Sequence, residues 1–224
     1  MMRFQAVVFD MDGTLLDTEA IALAAGRTTA TRFGHPITDA QFESLIGKDS
    51  GAALAELKAF GGDDFDALTF KSEWGRQFRG LAKAGIPVKP GVHMLLDLLD
   101  RAKIPFAVAT NSHERGAALS LGAAGISDRF RAIVGYDMVA NAKPAPDVFV
   151  HAAELTGVEP ARCLAFEDSV LGCKAAHHAG MTVVQVPDIL PTHSPLADLV
   201  ASDLMDGARK IGLIEQLSAQ TIAQ

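Results

Sequence analysis

The sequence predicts an α/β fold, a parallel sheet flanked by helices, with an all-helical domain inserted near its start. Three observations carry this. From Val92 onward, short apolar runs alternate with helical stretches, the pattern of parallel strands joined by helical crossovers. Between Leu15 and Ala84 no segment alternates like a strand. Ahead of that helical stretch stands Ala6–Phe9, two valines and a phenylalanine in an unbroken apolar run, which suits a strand buried on both faces.

In chain order, Ala6–Phe9 ends abruptly in Asp10-Met-Asp12-Gly13-Thr14. A helix follows to Phe33, with Thr18-Glu19 as its start and Gly34-His35-Pro36 as its stop, because glycine permits a left-handed cap and proline cannot continue the helix. Thr38-Asp39 opens a short helix through Ile46, and Gly47-Lys48-Asp49-Ser50 breaks it. A helix over Gly51–Phe60, a turn at Gly61–Asp64 and a helix over Phe65–Ala84 complete an insertion of about seventy residues, near the lower size of an independent domain. Gly85–Gly91, rich in Pro and Gly, is the return linker. These breaks predict a core domain of residues 1–16 and 87–224 and a helical domain of residues 17–86.

Beyond the linker, Val92–Ala102 carries Leu95, Leu96, Leu98 and Leu99 as the apolar face of an amphipathic helix. Strands are expected at Ile104–Ala109, Ala132–Gly135, Cys163–Phe166 and Thr182–Val186, with helices at Glu114–Ala124, Asp147–Thr156 and from Ser169 to Ala179. The tail after Pro187 is weakly patterned, with one helix expected near Ala208–Leu217.

Composition narrows the function classes. A 49% apolar share and 21% charged share are those of a globular protein with a sizeable core. A net charge of −7 argues against nucleic acid or an anionic membrane as partner. Cys163 and Cys173 are too far apart for a metal knuckle or redox pair, and Cys163 in an apolar run reads as a buried thiol. With no leader pattern and no 18-residue apolar run, a cytoplasmic protein is expected. No Gly-x-Gly-x-x-Gly fingerprint is present.

Four polar clusters each end or closely follow an expected strand: Asp10 with Asp12, Thr110-Asn111-Ser112, Lys143, and Glu167-Asp168. In a parallel sheet these fall on one edge, where ligands bind. Each has an ordinary reading taken alone: Asp12-Gly13 as a turn, Lys143 as a loop lysine, Glu167-Asp168-Ser169 as a helix cap. Their joint placement is what points to a site. Adjacent carboxylates repel unless a cation lies between them or one holds a proton, and a hard divalent ion such as Mg²⁺ fits oxygen donors. The chemistry is coherent for phosphoryl transfer. Asp10 is placed as a carboxylate nucleophile, Asp12 as general acid and base, and Thr110, Asn111 and Lys143 as groups that hold a phosphoryl oxygen. Asp168, with Glu167 beside it, completes the metal site.

In that order, Asp10-Met-Asp12-Gly-Thr14, the Thr110 strand end, Lys143-Pro144 and Glu167-Asp168-Ser169 resemble the four signature motifs of the haloacid dehalogenase (HAD) superfamily. The likeness covers the Rossmann-like core. The helical insertion resembles the cap of the β-phosphoglucomutase-like and phosphoglycolate-phosphatase-like branch. The resemblance implies Asp10 as nucleophile, Asp12 as acid/base, Thr110 and Lys143 as phosphate binders, and Mg²⁺ held by Asp10, the Asp12 carbonyl and Asp168. It also implies that Gly47-Lys48 is a cap loop reaching the substrate, with Glu19 a further candidate facing the cleft. Arg76, Arg79 and Trp74 are weaker ones.

The dehalogenases that name the family lack the second aspartate, so Asp12 argues for phosphate chemistry. The β-phosphoglucomutases carry a histidine where this chain has Ala22, and they replace the threonine found here as Thr14. The expected activity is therefore Mg²⁺-dependent hydrolysis of a small phosphomonoester, a sugar phosphate or phosphoglycolate-like metabolite, by a monomer or weak homodimer. The alternatives are a phosphosugar mutase, a phosphotransferase, or a catalytically idle binding protein of the same fold.

Overall fold

The structure is a computed structural model that describes residues 3–35, 37–45, 50–62, 65–188 and 192–222. The chain divides into two compact units, Met1–Leu16 with Pro87–Gln224, and Asp17–Ile86.

The first unit is built on a six-stranded, all-parallel sheet: β1 (Ala6–Phe9), β2 (Phe106–Ala109), β3 (Ala132–Val134), β4 (Cys163–Glu167), β5 (Thr182–Gln185) and β6 (Leu199–Val200). Their order is β3-β2-β1-β4-β5-β6. The chain runs outward from β1 through β2 to β3, then returns to β1's other flank and runs outward again through β4. The order reverses between β1 and β4, and at such a point the loops leaving the strand ends diverge and open a crevice.

β1 is buried throughout, and its alternate residues serve opposite faces. Ala6 and Val8 join Ala107, Ala165, Phe149, Ala152 and Cys173 in one core layer, under α7 (Asp147–Thr156) and α8 (Val170–His178). On the other face Phe9 stacks on Phe166 at 5.5 Å and meets Phe106 edge-on at 6.4 Å. Around the sheet lie α5 (Val92–Arg101), α6 (Glu114–Ala123), α9 (Leu204–Lys210) and α10 (Leu213–Ile222). Gln216 brackets the entry to β1, accepting from Phe4 N at 2.9 Å and donating to Phe4 O at 2.7 Å.

The second unit is four helices, α1 (Thr18–Phe33), α2 (Asp39–Leu45), α3 (Ser50–Gly61) and α4 (Ala67–Ala82). They close on Phe42, Leu57, Phe65 and Phe70, with Trp74 packed against that cluster. Trp74 Nε1 donates to Ala22 O at 2.8 Å, tying α4 to α1, so this tryptophan serves the unit's interior. α1 stops at Gly34, whose φ of 66° is the left-handed cap that glycine favours.

The structure amends the sequence reading at three places. α4 begins at Ala67, two residues late, because the Asp66 carboxylate caps it by accepting from Thr69 N at 3.0 Å. The tail holds a strand the pattern did not reveal, β6, two residues long and, among the described residues, paired with β5 alone. The single helix expected there is two, α9 and α10, separated at Gly212, where φ is 84°. Among the described residues no helix is long and apolar enough to cross a membrane.

Candidate active site

β1 delivers Asp10 to the sheet's carboxyl edge, where its N–H donates to Phe166 O of β4 at 2.9 Å. β4 delivers Glu167 to the same edge, and Asp168 follows it. Lys143 enters from the segment after β3. Its ammonium donates to Asp10 Oδ1 at 2.6 Å and to Glu167 Oε1 at 2.7 Å, and it lies 4.8 Å from the centre of the Phe149 ring. All three side chains are almost wholly shielded, at 4% exposure for Lys143, 8% for Asp10 and 1% for Glu167. Three buried charges in contact persist only because each is hydrogen-bonded to an opposite partner.

Burial works against the Lys143 ammonium, but Asp10 and Glu167 together outweigh it and hold the group protonated, its pKa above the ordinary lysine value. Burial also pushes the Asp10 carboxyl up, to about 7; Lys143 pulls it down, while Glu167 and Asp12 add to the rise. A second positive charge at Asp10 would lower it again.

Backbone brackets set these positions. The Asn111 side chain grips Lys143 on both sides, its Oδ1 accepting from Lys143 N at 2.9 Å and its Nδ2 donating to Lys143 O at 3.3 Å. Thr110 is buried after β2, and its Oγ1 accepts from Ser112 N at 3.0 Å. Ser112 Oγ in turn donates to Asp12 Oδ2 at 2.9 Å, joining the first two clusters across the sheet edge. Glu167 Oε2 accepts from Ser169 N and Oγ at 2.7 and 2.9 Å. Ser169 caps α8 by accepting from Gly172 N. A Cβ on Gly172 would fall 1.5 Å from Glu167 Oε1, so only glycine lets the helix seat that carboxylate.

Carboxylate oxygens of Asp10, Glu167 and Asp168 lie within 4.8 Å of one another. An all-oxygen anionic donor set suits a hard divalent cation, so the residues fit one. Both Glu167 oxygens already accept hydrogen bonds, one from Lys143 and the other from Ser169.

The structure thus brings Asp10, Asp12, Thr110, Asn111, Lys143, Glu167 and Asp168 to one edge of one sheet. Glu19 lies half-buried in the first turn of α1, in the other unit. Gly47 and Lys48 lie outside the described residues. Arg76 bonds to Glu73 on the surface of α4. Ser112 stands in the second polar cluster, and the sequence alone assigns it no separate role. Its one usable signal is its place three residues past the end of a buried strand.

With this geometry in view, the comparisons with known proteins are decisive. Residues 7–186 match the family described as haloacid dehalogenase-like hydrolase. The chain belongs to that family. Over 184 residues it is 32% identical to fructose-1-phosphate phosphatase YqaB of Escherichia coli, covering 82% of this chain and 97% of that protein. Over 209 residues it is 32% identical to β-phosphoglucomutase of Bacillus subtilis, covering 90% and 91%. Among solved structures, a HAD family hydrolase from Deinococcus radiodurans with bound phosphate and sodium superposes with a TM-score of 0.80. It is 26% identical and covers 97% of this chain and 99% of that one. The fold is accordingly the HAD-type α/β core, and membership makes the chain an enzyme of the hydrolase class.

Proposed function

We propose that this HAD-family phosphatase hydrolyses a small sugar-phosphate-like monoester, with Mg²⁺ bound and through a phosphorylated Asp10. The observation that carries the reading is the buried Lys143 ammonium between Asp10 and Glu167, beside the Asp12–Ser112 contact. An anionic substrate approaching a chain of net charge −7 needs concentrated local positive charge, and this lysine supplies it where Asp10 attacks.

Asp10, Asp168 and the Asp12 carbonyl would hold the cation, which when bound neutralises phosphoryl charge. The remaining work falls to the chain's own residues. A carboxylate oxygen of Asp10 attacks phosphorus as the ester P–O bond breaks, and the leaving oxygen takes the Asp12 proton. Water then attacks the acyl phosphate and gives a proton to Asp12, releasing inorganic phosphate and restoring Asp10. Thr110 and Asn111 steady the phosphoryl oxygens alongside Lys143. Glu167, fixed by Ser169, keeps the lysine aimed. Lys48 and Glu19 would act on the rest of the substrate from the helical unit, which we read as a cap that excludes water when it closes.

The test is phosphate release from a panel of small phosphomonoesters with and without Mg²⁺, comparing wild type with Asp10→Asn. Cation-dependent release by wild type alone supports the reading, and equal release by both proteins removes Asp10 from the nucleophile's role. A phosphosugar mutase is the second reading, favoured by the 32% identity to the B. subtilis enzyme. Against it stands Ala22, whose methyl group can neither give nor take a proton. Migration of phosphate between positions of one sugar, with no release, would reverse that preference.

A further inference from the structure

The loop after β5 brings a further carboxylate toward the first motif. Asp188 Oδ1 pairs with Lys89 Nζ, while Oδ2 is fully buried and has no hydrogen-bond partner among the described residues. A buried carboxylate oxygen left unpaired is costly, so its surroundings matter. A Cβ built on Gly13 would lie 2.7 Å from Asp168 Oδ2 and 3.3 Å from Asp188 Oδ2. The two carboxylates therefore close on the same small space beside the Gly13 backbone, where φ is 82° and a side chain would be strained as well as crowded.

This placement is braced. Gln185, fully buried at the end of β5, donates from Nε2 to Asp168 O at 2.9 Å and to Thr192 O at 2.8 Å. Its Oε1 accepts from Ser194 N at 2.7 Å. One amide thus fixes the backbone of Asp168 and the far arm of the loop that carries Asp188. Lys89 occupies only one of the two Asp188 oxygens.

We infer that Asp188 is a positioning residue of the cation site, its Oδ2 accepting from water on the metal held by Asp10 and Asp168; this rests on the cation reading above. Mg²⁺ gives up its waters reluctantly and keeps several. A carboxylate set behind such waters orients them and raises affinity, typically by 10–100-fold. Lys89 then holds Asp188 in register and does not compete for Oδ2.

The experiment is calorimetric titration of the full chain with MgCl₂, together with the Mg²⁺-dependent rise in melting temperature, on wild type, Asp188→Asn, Lys89→Met and Asp168→Asn. The expected result is binding by wild type, near-complete loss in Asp168→Asn and about 10–100-fold weaker binding in Asp188→Asn. Lys89→Met should stay within about threefold of wild type, as expected for loss of a partly exposed ion pair. Asp188→Ser replaces the asparagine variant if circular dichroism finds the latter unfolded. Mg²⁺ affinity unchanged in the Asp188 variant, with Lys89→Met and Asp188→Asn equally destabilised, would reduce the pair to an anchor for the linker and overturn this inference alone. Absence of Mg²⁺ binding by wild type would overturn the cation reading and this one with it.

Discussion

Two ionic triads in this molecule, one cation between two carboxylates and one carboxylate between two cations, sit in opposite settings. In the α/β unit, Lys143 sits between Asp10 and Glu167, with each side chain less than a tenth exposed. In the helical unit, Glu73 takes Arg32 at 2.9 Å and Arg76 at 2.6 Å, with the arginine side chains 55% and 60% exposed. Water screens the second triad and can replace either partner at little cost. It cannot reach the first, where loss of one member leaves a charge stranded. A fold tolerates a stranded charge of that kind poorly, so a buried triad of this composition marks a place where charge is used. The surface triad only links two neighbouring helices, α1 and α4.

Substitution can sharpen this contrast, starting with the largest effect. Asp10→Asn should remove turnover, by about 10³-fold or more in kcat, if the carboxylate is the attacking group. Single-turnover assays with labelled substrate should find no phosphorylated protein. Asp12→Ala should cost about 10²–10⁴ in kcat, the usual range for a general acid and base. The loss should be steeper for alkyl than for aryl esters, since aryl leaving groups need less protonation, and equal losses would remove Asp12 from that role.

Lys143→Met should lower phosphate affinity and also destabilise the fold by about 3–5 kcal/mol, because Asp10 and Glu167 would then face each other unpaired; denaturant midpoints measure this. The same pair sets a pH limit. The folded-state pKa of Lys143 lies above the ordinary lysine value of 10.5. Its contribution to stability is therefore complete below about pH 10.5 and lost as pH rises through the folded value. The wild-type and Lys143→Met midpoints should converge on that alkaline side. Ser112→Ala removes one hydrogen bond to Asp12 and should cost about 2–10-fold in kcat, the usual worth of one such bond. At the bottom, Glu73→Gln should move the melting temperature by no more than about 2 °C. A shift as large as that of Lys143→Met would collapse the distinction between the triads.

How much was legible in the sequence follows the same division between local and distant partners. β1 and β4 could be read because each is an unbroken apolar run with an acidic end, a signal contained in a few residues. The HAD motifs were legible for the same reason. β6 was not, since Leu199-Val200 is too short to show a period and becomes a strand only by pairing with β5. The break between α9 and α10 turned on the left-handed Gly212, which resembles any glycine in a helical pattern. In the site, residue types were visible and partnerships were not. Nothing near Ser112 announces Asp12, one hundred residues earlier, nor does Asn111 announce the Lys143 backbone it grips. Gln185 and Asp188 were silent because their meaning lies wholly in what the fold sets beside them.

The bracket between Gln216 and Phe4 has a practical side. It fastens the last helix to the entry of β1, four strand residues before Asp10, so it lies about 13 Å or more from the carboxyl edge at the usual rise per residue. A tether attached at an exposed residue in the first turn of α10, such as Glu215, would sit at the rear of the sheet. The enzyme could then be coupled to a bead with its catalytic edge turned away from the attachment.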